Sequence, residues 1–198
     1  MGLVYHVACG HTRVNLGVRQ VKGTVMPAWI SIYCTESTDD VRADQMLTGI
    51  RVSDYWTLAE HYGIDEDLVD PALALLKIDS DDDGWELCYR PAGERQLAIH
   101  RWASRDRTTE EVDEVLESFE DDSNELANRI LGHLSKVQTV IGIEMGFSQL
   151  EDMGIVFAFE IARWFGLHKG GLIRDDEGNW SMIARNASFV YLQRESGA

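Results

Sequence analysis

Basic residues and cysteine are scarce in this sequence. Of its 198 residues, 18 are Lys or Arg against 34 Asp or Glu, and the formal net charge is -16. A protein that follows the phosphates of a nucleic acid needs a basic surface to release counterions, so this composition excludes an ordinary nucleic-acid binder. It also disfavours an anionic membrane surface. The three cysteines are too few and too scattered for a disulfide framework, and they favour a reducing compartment.

Long apolar runs are also missing. The longest candidate, around Ile155–Phe165, is interrupted by Glu160 and Arg163, and no run approaches the ~18 residues of a membrane span. Met1–Gly10 has no basic segment, so it does not read as a signal peptide. We therefore expect a cytoplasmic protein without a membrane segment.

Catalytic signatures are absent as well. The sequence has no GxSxG, HExxH, GxxxxGK or GxGxxG motif, which are the signatures of hydrolases, metalloproteases and nucleotide-binding proteins. We therefore expect a binding protein that carries no cofactor. An enzyme whose active site is assembled from distant residues remains an alternative.

The apolar content is sufficient for a folded core, since 44% of the residues are hydrophobic and six are Trp. At this length we expect one domain over residues 1–198, with a frayed tail at 193–198. The order of elements predicts an α+β fold, with a mostly antiparallel sheet and helices packed on one face. The predicted strands are Leu3–Ala8, Thr12–Arg19, Met26–Thr35, Trp85–Arg90, Arg95–Trp102, Val140–Met145, Leu172–Arg174, Trp180–Ile183 and Ser188–Leu192.

Capping residues and apolar spacing predict five helices. Three of them have a predicted N-cap: Ser53 for a helix to Tyr62, Thr108 for a helix through Phe119, and Ser148 for a helix to His168. The other two are predicted over Asp67–Leu76 and Asn124–Ser135. The helix that begins at Thr108 has its apolar face at Val112, Val115, Leu116 and Phe119.

The negative charge is concentrated in one third of the chain. Residues 60–125 contain 21 acids and six bases, a net charge of -15, whereas the flanking parts are close to neutral. Between residues 110 and 122, eight of 13 residues are acidic and none is basic. Solubility alone does not require such a concentration. Two interpretations stay open, namely an acidic face directed at a basic partner and a solvated surface that has drifted towards acidity.

The segment Asp79–Gly84 has the DxDxDG opening of a calcium loop, because Asp79, Asp81 and Asp83 alternate before a glycine. The twelfth position of such a loop needs a bidentate Glu, and here it is Arg90. We therefore interpret the segment as an acidic turn without a high-affinity metal site.

Zinc-type ligands occur near the N-terminus. His6, Cys9 and His11, with Cys34 further on, are residue types that bind zinc. They include no CxxC pair, and buried cysteines with histidines at strand ends explain them more simply. We predict no metal centre.

Two tryptophans, Trp85 and Trp102, lie within the acidic third of the chain. Tryptophan is a favoured anchor at protein interfaces, but it is also a common core residue. We include Trp85 in the predicted partner surface and keep the core interpretation beside it.

The C-terminal part resembles a known class of proteins. The strand Val140–Met145, the helix Met153–His168 and the segment Gly170–Trp180, with its Gly-Gly helix stop and DxxGxW-like turn, are similar to the closing strand, helix and hairpin of small α+β bacterial toxin-immunity proteins. The resemblance covers about 40 residues. It implies a cytoplasmic protein that binds and blocks a cognate toxin, and it carries no functional residues with it.

The charge pattern and this resemblance together predict an immunity protein that neutralises an antibacterial toxin with a basic cleft. An acidic interaction or regulatory module that mimics nucleic acid is the alternative. The predicted partner-binding residues are Glu110, Glu111, Glu114, Glu117, Glu120, Asp121, Asp122, Asp81, Asp82 and Trp85.

Overall fold

One antiparallel sheet runs through the structure, which is a computed structural model describing residues 20–21, 24–25, 27–119 and 124–192. A short separate ribbon is formed by β1 (Gln20–Val21) and β2 (Thr24–Val25). The strands of the large sheet are β3 (Ala28–Cys34), β4 (Lys77–Asp81), β5 (Gly84–Cys88), β6 (Leu97–Trp102), β7 (Thr139–Met145), β8 (Gly171–Arg174), β9 (Trp180–Ile183) and β10 (Phe189–Leu192). Their order across the sheet is β10-β9-β8-β3-β7-β6-β5-β4. The predicted α+β class is confirmed.

The centre of the sheet is the pairing of β3 with β7. The two strands align over their full length, from Ala28 opposite Met145 to Cys34 opposite Thr139. All residues of β7 except Glu144 are buried. A strand that is buried on both faces reads as a continuous apolar run, which is why the sequence Val140–Met145 predicts a central strand correctly.

Seven helices accompany the sheet in the described residues. Their bounds are α1 (Ala43–Ile50), α2 (Tyr55–Tyr62), α3 (Val69–Leu75), α4 (Arg105–Glu117), α5 (Glu125–Leu134), α6 (Phe147–Leu150) and α7 (Met153–His168), and a 3-10 turn (Glu66–Leu68) precedes α3. The long helix α7 is buried over most of its length and packs with α1, α2 and α3 on one face of the sheet, where Ile32, Ile141 and Ile173 meet it.

The opposite face carries α4 and α5. There Tyr33, Val140 and Leu172 pack against Val115 of α4 and Ile130 of α5. Helices therefore lie on both faces, and the prediction that they share one face is wrong. Successive side chains of a strand point to opposite faces, so apolar neighbours in the central strands require a cover on each side.

Several helix starts differ from the predicted ones, because more than one capping residue precedes each helix. A Ser or Asp closer to the first turn accepts the backbone hydrogen bond in each case. The observed N-caps are Asp54 where Ser53 is predicted, Ser104 where Thr108 is predicted, and Asp152 where Ser148 is predicted. Helix α5 begins one residue after the predicted start, and Asn124 is its N-cap, with Oδ1 accepting a hydrogen bond from Ala127 N at 2.8 Å.

Strand β4 has no counterpart in the prediction, which places an acidic turn over Asp79–Gly84. Lys77–Asp81 is paired in the sheet, and only the two residues that follow it form the turn. The predicted helix over Asp67–Leu76 is divided into the 3-10 turn and α3, and α1 has no counterpart in the prediction. The predicted strands Leu3–Ala8 and Thr12–Arg19 and the tail 193–198 lie outside the described residues.

Among the described residues, no helix is long and apolar enough to span a membrane.

Gly84 illustrates how tightly the edge of the sheet is built. Its φ of 154° disfavours L side chains, and a Cβ there would lie 2.1 Å from the carbonyl oxygen of Ile99 on the neighbouring strand. We expect Gly84→Ala to lower the free energy of unfolding by at least about 1–3 kcal/mol, the cost of a strained backbone alone. Thermal unfolding followed by circular dichroism measures this.

The matched control for this substitution is Gly132→Ala. Gly132 lies in α5, and a Cβ there would meet no atom within 4 Å. The control should be stabilised by about 0.5–1 kcal/mol, since glycine in a helix costs that much relative to alanine. Equal effects of the two substitutions would contradict this account of Gly84.

Candidate functional site

Helix α4 presents three different faces to its surroundings. Its buried face carries the predicted apolar residues Val112, Val115, Leu116 and, just after the helix, Phe119, which pack against the sheet and α5. The spacing i, i+3, i+4, i+7 places these side chains on one side of a helix. This prediction is confirmed, and it fixes the direction of the two remaining faces.

The second face of α4 is directed at solvent and is entirely acidic. Glu110, Asp113 and Glu117 lie at i, i+3 and i+7, and all three are exposed. Glu110 forms a salt bridge with Arg107, with 2.9 Å between Oε2 and Nη1, and the side chain of Arg107 is exposed as well. Among the described residues, Asp113 and Glu117 form no salt bridge. We call these three residues the acidic stripe.

The third face of α4 lines a groove of about 380 Å³ between the helix and the sheet. Arg107, Glu111 and Glu114, spaced i, i+4 and i+7, contribute to its helical wall. The floor and the far wall come from alternate residues of β3 and from single residues of β6 and β8. These lining residues are Trp29, Ser31, Tyr33, Trp102 and Arg174.

Small residues in the sheet make room for the groove. Ser31 lies opposite Arg174 on one side and opposite Gly142 on the other, so the three form a row across β8, β3 and β7. A Cβ on Gly142 would lie 2.5 Å from Trp102 Cη2 and 3.1 Å from Trp29 Cζ3. The absence of a side chain at Gly142 therefore allows the two indole rings to lie over the central strand.

The aromatic floor of the groove continues beyond it. The rings of Trp29 and Trp102 are stacked with centroids 6.1 Å apart, and His100 lies 5.5 Å from Trp29 and 6.2 Å from Trp102. All three side chains are half-buried. Glu144 Oε2 lies 3.4 Å from His100 Nε2 and its other oxygen accepts a hydrogen bond from Arg95. The cluster is thus a partly exposed aromatic surface with charged neighbours.

Two arginines occupy opposite walls of the groove in different ways. The guanidinium of Arg107 lies 5.8 Å from the ring centroid of Trp102 and 3.9 Å from Glu111. Arg174 lies 5.8 Å from the ring centroid of Trp180 and forms no salt bridge with any described residue. Burial raises the pKa of Tyr33, and the charge and hydrogen bond of Arg174 act against that rise.

Glu111 is the least solvated of the α4 carboxylates. Partial burial raises its pKa, Arg107 counteracts the shift, and the negative charges of Glu114 and Glu110 add to it. The groove therefore holds a carboxylate whose negative charge is only partly compensated by its neighbours.

The remaining predicted site residues do not join the groove. Asp81 and Asp82 lie at the tip of the β4-β5 hairpin, and β7, β6 and β5 separate that edge strand from β3. Trp85 is 5% exposed and packs 5.9 Å from Phe165 in the core. Since a buried ring offers no surface to a partner, Trp85 is a core residue and its inclusion in the partner surface was wrong. Glu120, Asp121 and Asp122 lie outside the described residues.

The calcium-like segment uses its carboxylates locally. Asp79 is bound to Lys77 Nζ at 2.5 Å, a hydrogen bond that lowers the pKa of Asp79. Asp81 Oδ1 accepts a hydrogen bond from the backbone N–H of Asp83 at 2.9 Å. The groups are therefore directed to different partners within the hairpin.

The rest of the described chain also lacks a cluster of metal ligands. In that part, no three His, Cys, Asp or Glu residues are placed to hold one ion. Cys34 is buried in the core, which raises its pKa to about 12. His6, Cys9 and His11 lie outside the described residues.

A second cavity, of about 330 Å³, lies beside Ser53 and Trp56. Next to it Glu160, only 4% exposed, accepts hydrogen bonds from Ser53 and from Arg163, and Arg163 Nη2 donates to Ser53 Oγ at 2.9 Å. This buried ionic network ties α7 to the loop before α2. Its polar groups satisfy one another, so it acts as a structural link between the two segments.

Sequence reasoning missed the sheet side of the groove. Trp102 was a candidate interface residue, but Trp29, Ser31 and Arg174 were not. The available signal was the alternation on β3, which places Trp29, Ser31 and Tyr33 on one face. Only the register of three strands reveals that Arg174 joins them.

Comparisons with known proteins identify no relative of this chain. No family model matches the sequence, and neither a curated protein nor a solved structure matches the chain.

The raised pKa of Glu111 predicts a pH-dependent effect on stability. The folded state holds the proton of Glu111 more tightly than the unfolded chain, so ionised Glu111 destabilises the fold at neutral pH. This destabilisation disappears as the pH falls below the ordinary pKa of Glu, about 4.3, because the carboxyl is then protonated in both states. Glu111→Gln should therefore raise the Tm at pH 7 and have little effect near pH 4.

The control for Glu111→Gln is Glu110→Gln, which removes the same charge from the solvent-facing side of the helix and also breaks a 2.9 Å salt bridge. It should give no increase in Tm at pH 7. A lower Tm for Glu111→Gln at pH 7 would mean that the contact with Arg107 outweighs the cost of burial.

Proposed function

We propose that this protein binds and neutralises a basic protein partner through the acidic stripe of α4, as a cytoplasmic toxin-immunity protein does. The observation that carries the proposal is the exposure of Glu110, Asp113 and Glu117 on one face of a helix whose opposite face is anchored in the core. The helix packs against the sheet and so fixes the spacing of these three positions, which gives a basic surface a localised patch of opposite charge to match.

The arrangement has a cost that supports this interpretation. Glu110 and Glu114, and Asp113 and Glu117, are like-charged pairs at i, i+4, and each such pair destabilises a helix by a few tenths of a kcal/mol. Among the described residues, Arg107 is the one base that forms salt bridges with the acids of α4, and it pairs with Glu110 and Glu111. Binding of a basic partner would relieve the repulsion and add favourable ion pairs.

Electrostatic complementarity acts mainly on the rate of association. A concentrated patch of one sign attracts an oppositely charged partner over about a Debye length, ~10 Å at 0.1 M salt, and raises the association rate by one to three orders of magnitude at low salt. Neutralising a toxin quickly in the cell that produces it is a task that such a rate serves. The alternative of a nucleic-acid mimic uses the same surface, with a nucleic-acid-binding protein as the partner.

The test is a toxicity rescue with the protein encoded next to this gene, followed by association kinetics of the purified pair. We expect co-expression to restore growth. The variant Glu110→Gln, Asp113→Asn, Glu117→Gln should associate about tenfold or more slowly at low salt, with a much weaker salt dependence, because steering by these charges is lost.

The matched control is Glu60→Gln, Glu66→Gln, Asp67→Asn. These three acids are exposed and lie in and around α2 and the 3-10 turn, on the other face of the sheet. The control has the same total charge as the test variant, so a general effect of net charge would slow both. Unchanged association of the test variant, or equal slowing of the two, would contradict the proposal.

A further inference from the structure

The groove beside α4 combines aromatic faces with an uncompensated carboxylate. Trp29 and Trp102 contribute half-buried indole rings, and Glu114 lines the same groove. Glu114 is exposed and forms no salt bridge with any described residue. A cation that lies near both an indole face and a carboxylate gains cation–π attraction and an ion pair at once.

Arg107 shows that this groove already accommodates one guanidinium in that way. Its Cζ lies 5.8 Å from the ring centroid of Trp102 while its nitrogens lie 2.9 Å from Glu110 and 3.9 Å from Glu111. Glu114 follows Glu111 by three residues along the same helical wall and so lies about one turn further from Arg107. In the described part of the chain, no cation lies over the ring of Trp29.

The sign of the charge decides which group fits that position. The lining contains two bases and two acids, Arg107 and Arg174 against Glu111 and Glu114. Arg107 is paired with Glu110 and Glu111, whereas Glu114 forms no salt bridge with any described residue. A cation beside Glu114 would therefore be attracted by that carboxylate and by the segment of net charge -15. Arg174, on the opposite wall, is occupied with Trp180 and Tyr33. A guanidinium fits better than an ammonium, because its plane stacks on an indole and directs its N–H groups at a carboxylate in that plane.

We propose that this groove binds the guanidinium of an arginine side chain presented by the basic partner, stacked on the indole ring of Trp29 beside Trp102 and paired with Glu114. This inference rests on the proposed function, and it adds to it a single anchoring residue on the partner. The negative charge of the acidic stripe attracts the partner to α4, and binding of one arginine in the groove then fixes the orientation of the partner on this surface.

The test uses a small probe in place of the partner. N-acetyl-L-arginine amide is titrated into the ¹⁵N-labelled protein, and the indole N–H signals of the tryptophans are followed by NMR. We expect saturable shifts of Trp29 and Trp102 with a Kd of about 1–10 mM, as one ion pair with cation–π stacking provides. The capped citrulline analogue, which is planar but neutral, should give no saturable shift, and capped lysine should bind more weakly.

Two helix variants separate the groove from the general charge of α4. Glu114→Gln should weaken binding of the capped arginine by about fivefold, because the ion pair is lost. Glu117→Gln removes the same charge from the solvent-facing side of the same helix and should leave the Kd nearly unchanged. Both residues are exposed, so neither substitution disturbs the core.

Equal binding of arginine and citrulline, equal binding of arginine and lysine, equal effects of the two variants, or shifts confined to other tryptophans would each overturn the proposal. No toxin takes part in this titration, so its outcome is independent of the rescue experiment. Failure of rescue with a positive titration would remove the proposed function and keep the groove site. Full rescue with a negative titration would keep the proposed function and remove the groove site.

Discussion

The pairing of β3 with β7 is the constraint on which the rest of the structure depends. These strands come from distant parts of the chain, align over seven residue pairs, and bury side chains on both faces. A central pair that is apolar on both faces must be covered twice, by α7 with α1–α3 on one side and by α4 with α5 on the other. The position of α4, and with it the acidic stripe and the groove, follows from the need to cover Tyr33 and Val140.

Helix α4 therefore combines three tasks in 13 residues. Its apolar positions stabilise the fold, its solvent-facing acids create a local field, and its third face makes one wall of a groove. Because the helix is fixed by packing, its backbone holds these acidic positions at fixed spacings beside the indole rings.

The sequence predicts those parts of the fold that are determined by local pattern. The apolar runs of β7 and α7 and the apolar face of α4 are predicted correctly because each leaves an apolar pattern within a few residues of the sequence. The N-caps fail where several Ser, Thr and Asp residues compete, and only packing decides among them. The two-sided cover could have been inferred from adjacent apolar residues such as Ile32 and Tyr33. The groove could not, because Trp29, Trp102 and Arg174 become neighbours only through the register of separate strands.

The acidic hairpin of β4 and β5 acquires a different meaning at the edge of the sheet. An edge strand exposes unpaired backbone groups that can pair with another molecule, and charged side chains discourage this by resisting desolvation. On β4, Lys77, Asp79 and Asp81 are exposed and charged. A further strand added there would have to bury these charges. Asp79 and Asp81, which belong to the calcium-like pattern of the sequence, thus lie on an edge strand, where their charge opposes the addition of another strand.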